Sequence, residues 1–178
     1  MITNIKYKIF QSLAVLFSLL TLIAIFLPAF FVDTGDHYSL FALIFGTEKA
    51  AFQPFMLCGF IALIIAILLA IAILVINLLK KLNNKLATIL AISSALTILI
   101  GGILLGVGPF YPNGIVSVMN SELGFTQGQW GFEVGLFLTI ILALIGVAMN
   151  YPTALIILHE KDLADQAKKE SINSNISK

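Results

Sequence analysis

The densest group of chemically capable side chains is Asp33-Thr-Gly-Asp-His37, two carboxylates and an imidazole in one short stretch. Asp33, Asp36 and His37 are residue types that hold divalent cations, but a full ligand shell needs two or three more donors. Glu48, Glu122 and Glu133 would supply them only if distant segments folded together. The same three residues would suit an enzyme acting on lipid headgroups at a membrane surface. A solvated turn around Gly35 is the simpler reading. No metal and no cofactor is expected.

Other chemistry is scarce. Cys58 is the one cysteine, so the chain has no disulfide and no CxxC motif, and it reads as a small hydrophobe inside an apolar run. His159 falls at the edge of an apolar segment and reads as an interfacial residue. The chain contains no glycine-rich phosphate loop, serine-nucleophile elbow or H-E-x-x-H. All ten basic residues are lysine, which removes bidentate guanidinium clamps on phosphate. A net charge of +1 offers no bulk attraction for nucleic acid.

What the sequence has instead is hydrocarbon. Hydrophobic residues make up 60% and charged residues 11%, and the mean hydropathy is +1.05. A soluble domain carries about 25% charged residues. Four apolar segments, about 9–31, 55–79, 86–107 and 132–158, each reach the roughly 20 residues that cross a bilayer. They predict an all-α fold, an integral membrane four-helix bundle forming one transmembrane domain over 1–160. A tail over 161–178 should be helical and then disordered. The first segment, Ile9 to Phe31, outruns the roughly 7–15 apolar residues of a signal peptide and is expected to stay as a span. Pro152 should bend the fourth helix.

Charge sets the expected orientation. Lys6, Lys8, Lys80, Lys81, Lys85, Lys161, Lys168, Lys169 and Lys178 fall on one side of these segments, and only Lys49 on the other. Lysine is retained on the cytoplasmic side. Both termini are therefore expected inside a multi-pass protein of the plasma membrane, with outer loops over about 32–54 and 109–131. Tyr7 and Tyr151 then mark the inner interface, and Tyr38, Tyr111 and Trp130 the outer one. The absence of arginine, with abundant Ile, Phe, Asn and Lys, fits an AT-rich bacterial genome.

The two outer loops share an order of features. Each begins with proline and aromatics (Pro28-Ala-Phe-Phe; Pro109-Phe-Tyr-Pro), reaches a glycine (Gly35; Gly114), then an apolar stretch and a second glycine (Gly46; Gly124). That order fits two parallel copies of a helix, outer loop, helix unit. The apolar stretches are too short to span and should lie on the outer interface or cap the bundle.

Lipid solvates leucine as well as a neighbouring helix does, so small residues mark where helices meet in a membrane. Ala62, Ala66 and Ala70 recur at four-residue spacing in the second segment, and Ala87, Ala91 and Ala95 in the third. Gly102–Gly106 and Gly131–Gly135 fit G-x-x-x-G, so the third and fourth segments are expected to approach most closely there. These faces would serve internal packing or contact with another membrane protein or a second copy.

No Asp, Glu, Lys or His falls mid-segment, which argues against a proton-coupled pump and an intramembrane aspartyl or metalloprotease. The mid-segment hydroxyls Ser18, Thr21, Ser93, Ser94, Thr97 and Thr139 can bond to their own helix. The expected function is non-enzymatic, that of an accessory, assembly or scaffold subunit in the bilayer. The alternative is a small-solute transporter or channel working as an oligomer.

Overall fold

An apolar run free of proline and glycine carries the first helix, α1, over Ile5–Ala24. Pro28 ends it: the residue before a proline avoids helical backbone, and proline donates no hydrogen bond. Tight turns follow instead, Phe26 N–H donating to Ile23 and Leu27 N–H to Ala24, both at 3.1 Å. The aromatic and β-branched residues after Pro28 then form a strand, β1, over Pro28–Val32. Gly35, at φ +86°, turns the chain into an antiparallel strand, β2, over Asp36–Ser39. Ser39 Oγ accepts from Ala42 N–H (3.1 Å) and so caps a short helix, α2, over Leu40–Phe45, which ends at Gly46.

Two long helices follow, α3 over Pro54–Leu78 and α4 over Asn84–Val107. A 3-10 turn over Gly108–Phe110, one helical turn (α5) over Ile115–Ser117 and a strand (β3) over Trp130–Phe132 lead to a further helix, α6, described over Val134–Asn150. The computed structural model describes residues 5–32, 35–47, 52–78, 84–110, 115–117 and 130–150, with Leu163 and Gln166. Pro152 and nearly all of the tail lie outside the described residues.

The chain is mostly helical, and two of its helical stretches, Pro54–Ile76 and Leu86–Phe110, are long and apolar enough to cross a membrane, with mean hydropathies of 3.4 and 2.3. Lys8–Ala24 and Val134–Asn150 are apolar but shorter over the described residues.

Four contacts link the long helices in a ring. Gln11 of α1 bonds to Ala70 of α3, Gly59 of α3 meets Gly101 of α4, Gly102 of α4 meets Ala143 of α6, and Gly146 of α6 lies beside Ser18 of α1. Many of the residues that face inward are small or weakly polar: Gln11, Ala14, Ser18, Thr21, Ala66, Ala70, Ala87, Ala91, Ser94, Thr139, Ala143 and Asn150 are all buried, beside the larger Leu63, Ile73, Ile98 and Leu105. Other large aliphatic side chains of the same helices point out, among them Ile23, Leu68, Leu96 and Leu144, each more than half exposed.

The fold departs from the all-α expectation at one end. Strands β2, β1 and β3, in that order, form an antiparallel sheet with β1 central. The first apolar segment therefore stops being helical at Ala24 rather than Phe31, and the last becomes helical at Val134 rather than at Phe132. A five-residue apolar strand and the last turn of an apolar helix look alike in sequence, and only its partners decide. The two loops expected outside also begin differently. The first holds β1, β2 and α2, while Gly108-Pro-Phe opens the second as a 3-10 turn, since Pro109 has no N–H for a ladder. The apolar stretch of the first loop lies in the core, with Leu40, Leu43 and Ile44 buried beside Ile25 and Met56.

Candidate functional site

The sheet brings together residues about a hundred apart. Phe31 of β1 pairs with His37 on one side and Gly131 on the other, which sets Glu133 near His37. Their side chains meet: His37 Nδ1–H donates to both Glu133 carboxylate oxygens at 3.0 Å. The histidine is 56% exposed and the glutamate 24%, so water screens the pair. Such pairs contribute about 0–1 kcal/mol. In a double-mutant cycle with His37→Ala and Glu133→Gln, the coupling free energy is expected to stay below about 1 kcal/mol and to shrink with added salt. A coupling several times larger would show a tighter clasp than this geometry supports.

This pair is the part of the predicted polar cluster seen among the described residues. Asp36 neighbours His37 on β2, and successive strand residues point to opposite faces. Asp33, Glu48 and Glu122 lie outside the described residues. Among the described residues no three His, Cys, Asp or Glu side chains gather to hold a metal ion.

The expected interface aromatics Tyr38 and Trp130 sit in the sheet, both half-buried against the core. Trp130 stacks on Phe30 with centroids 5.5 Å apart, and Phe132 packs edge-on against both. The side chain of Tyr7, and Tyr111 and Tyr151 as a whole, lie outside what the structure describes.

Within the helices, most hydroxyls satisfy themselves. Ser18 donates to Ala14, Thr21 to Phe17 and Thr139 to Gly135, at 2.7–2.8 Å. Gln11 and Ser94 reach from one helix to another. Gln11 Nε2 donates to the Ala70 carbonyl at 3.0 Å, and Ser94 Oγ to the Ala66 carbonyl at 3.2 Å. Ala66 and Ala70, singled out for their size, let those side chains reach α3 backbone. Ala62, on the same spacing, is only half-buried. Gln11 and Asn150 escaped notice in the sequence because they sit near the ends of apolar segments. The stripe Gln11, Ala14, Ser18, Thr21, spaced three and four apart, could have found the first.

The glycine pairs do not face each other. Gly102 packs on Ala143 and Gly106 on Ile140, both in α6. Gly131 instead lies in β3 against the Phe31 ring, and Gly135 sits against the Leu27 and Pro28 carbonyls. The reason is the sheet: β3 pairs with β1, so the start of α6 follows the end of α1 rather than α4. Helices α3 and α4 come close at Gly59 and Gly101, where a Cβ on Gly101 would stand 2.9 Å from the Gly59 carbonyl oxygen. Cys58, next to Gly59, is exposed on α3 rather than buried.

Between α4 and α6 a groove of about 270 Å³ opens outward. Gly102, Gly106 and Ala143 line it together with Ile103, Ile140 and Leu144. Ile103 and Leu144 are more than half exposed on its rims. Its chemistry is that of a contact surface: apolar, shallow and without an ionisable group.

No protein-family model, curated protein or solved structure matches the chain.

Proposed function

We propose that this chain is a multi-pass membrane protein of the plasma membrane, a four-helix bundle of α1, α3, α4 and α6 without a catalytic centre. It serves as an accessory or scaffold subunit that binds an apolar helix of another membrane protein. The observation that carries the reading is the groove over Gly102 and Gly106 on an outward face. Small residues let a second helix backbone come close, which is how helices associate where lipid removes the hydrophobic drive. The inverted burial pattern supports the bilayer as its solvent, because exposed Leu68, Leu96 and Leu144 would aggregate in water. The lysine asymmetry supports both termini in the cytoplasm.

A solute transporter draws less support. Leu63, Ile98 and Leu105 are fully buried within one apolar core cluster.

Purification in mild detergent from the native membrane tests the reading. A co-purifying membrane protein, lost on Gly106→Leu, is the expected result. A strictly monomeric particle with no companion would overturn the scaffold role. A reporter fused after Lys178 should be active in the cytoplasm, and activity outside would overturn the topology.

A further inference from the structure

Gln11 and Asn150 are fully buried, and each has one side-chain oxygen, Gln11 Oε1 and Asn150 Oδ1, without a hydrogen-bond partner among the described residues. Their other ends are fixed. Gln11 Nε2 donates to Ala70, and Asn150 Nδ2 donates to the Gly146 carbonyl at 2.9 Å. The acceptors are therefore held in place rather than free to rotate toward another donor.

The helix pairing puts them close in height. Gly135 meets Leu27 and Gly146 lies 3.8 Å from Ser18 Oγ, so α6 descends as α1 climbs. With a rise of 1.5 Å per residue, Asn150 comes level with the turn around Ala14, and Gln11 lies roughly one further turn down. Both stand at the end of the helices away from the sheet. Small residues stand next to both amides: Ala14 one turn from Gln11, Ala70 at its hydrogen bond, and Gly146 one turn from Asn150.

We infer that Gln11 Oε1 and Asn150 Oδ1 form a water-binding site between α1, α3 and α6 at the end of the bundle opposite the sheet. An orphaned amide oxygen in a buried site is destabilising, and bound water repairs it when small neighbours leave room. The donor set selects the ligand. Two neutral acceptors repel anions, and they fall far short of the six or more oxygens a hard cation gathers. A small neutral hydrogen-bond donor fits, and water is the donor at hand. The inference goes beyond the scaffold role and does not depend on it. It makes one end of an otherwise apolar protein hydrated.

Water-edited NMR on the full, isotope-labelled chain in lipid nanodiscs reads this directly. The side-chain amides of Gln11 and Asn150 should gain magnetisation from water as fast as Gly35 in the sheet turn. Mid-helix Ala91 should lag. Build-up at both amides as slow as at Ala91 overturns the site. In a Gln11→Leu, Asn150→Leu double variant the water signal at Ala14 and Ala70 should be lost, and its persistence would equally overturn it. If that variant does not fold, the unaltered chain still decides. Transfer from lipid acyl protons to Ile64 and Leu68 tests the membrane reading separately, and its absence would remove that reading while leaving the water site standing.

Discussion

Gly135→Ala is expected to destabilise the protein by roughly 3 kcal/mol, the upper range for overpacking a close-packed site. A methyl at this position would stand 2.6 Å from the Leu27 and Pro28 carbonyl oxygens. Those atoms are backbone, and they cannot swing aside as a side chain would. Leu27 and Pro28 are held in turn by Leu27 N–H bonding to Ala24 and by the ladder that begins at Pro28. One turn further on, Thr139 Oγ1 donates to the Gly135 carbonyl, so the start of α6 has little freedom to tilt. The variant must push α6 off the α1–β1 turn, and the Glu133 N–H bond to Ala29 (2.9 Å) goes with it. Denaturant-induced unfolding in mild detergent measures the loss. A midpoint unchanged from the parent would show that α6 does not meet α1 as described.

Gly101→Leu should cost a further few kcal/mol by separating α3 from α4. Even the Cβ would stand 2.9 Å from the Gly59 carbonyl oxygen and 3.0 Å from two atoms of Leu63. Gly59→Leu attacks the same crossing from the other side, where its Cβ would lie 2.9 Å from Leu104 Cβ. Once the helices have parted, the second substitution finds room already made. The double variant is therefore expected to lose much less than the sum of the two. Two turns away, the Ser94 Oγ to Ala66 bond at 3.2 Å would stretch beyond use. A hydrogen bond between membrane helices contributes only about 0.6 kcal/mol on average, so packing dominates the effect. Ser94→Ala should then be mild beside Gly101→Leu. Additive losses in the double variant would mean that Gly59 and Gly101 do not share one contact.

The residues behind these two effects were not equally visible in the sequence. Gly135 was marked by its spacing from Gly131, but the partner expected for both was the third apolar segment. Gly59 and Gly101 carried no such mark, since neither has a glycine four residues away. A four-residue repeat reports a smooth face on one helix and says nothing about which neighbour uses it. The polar cluster is a different case. Glu133 was a candidate partner for Asp33, Asp36 and His37 only if distant segments folded together, and His37 does meet Glu133, 96 residues distant.

The sequence by itself determined the long apolar helices and the small-residue stripes along them. These are properties of neighbouring residues: periodicity and hydropathy act within a few turns. The tertiary structure alone decided that Phe30 and Phe132 share a sheet, that α6 starts against α1, and that Gly102 and Gly106 floor an outward groove. Strand pairing and helix contact depend on surfaces brought together from opposite ends of the chain. No local pattern encodes a partner a hundred residues away.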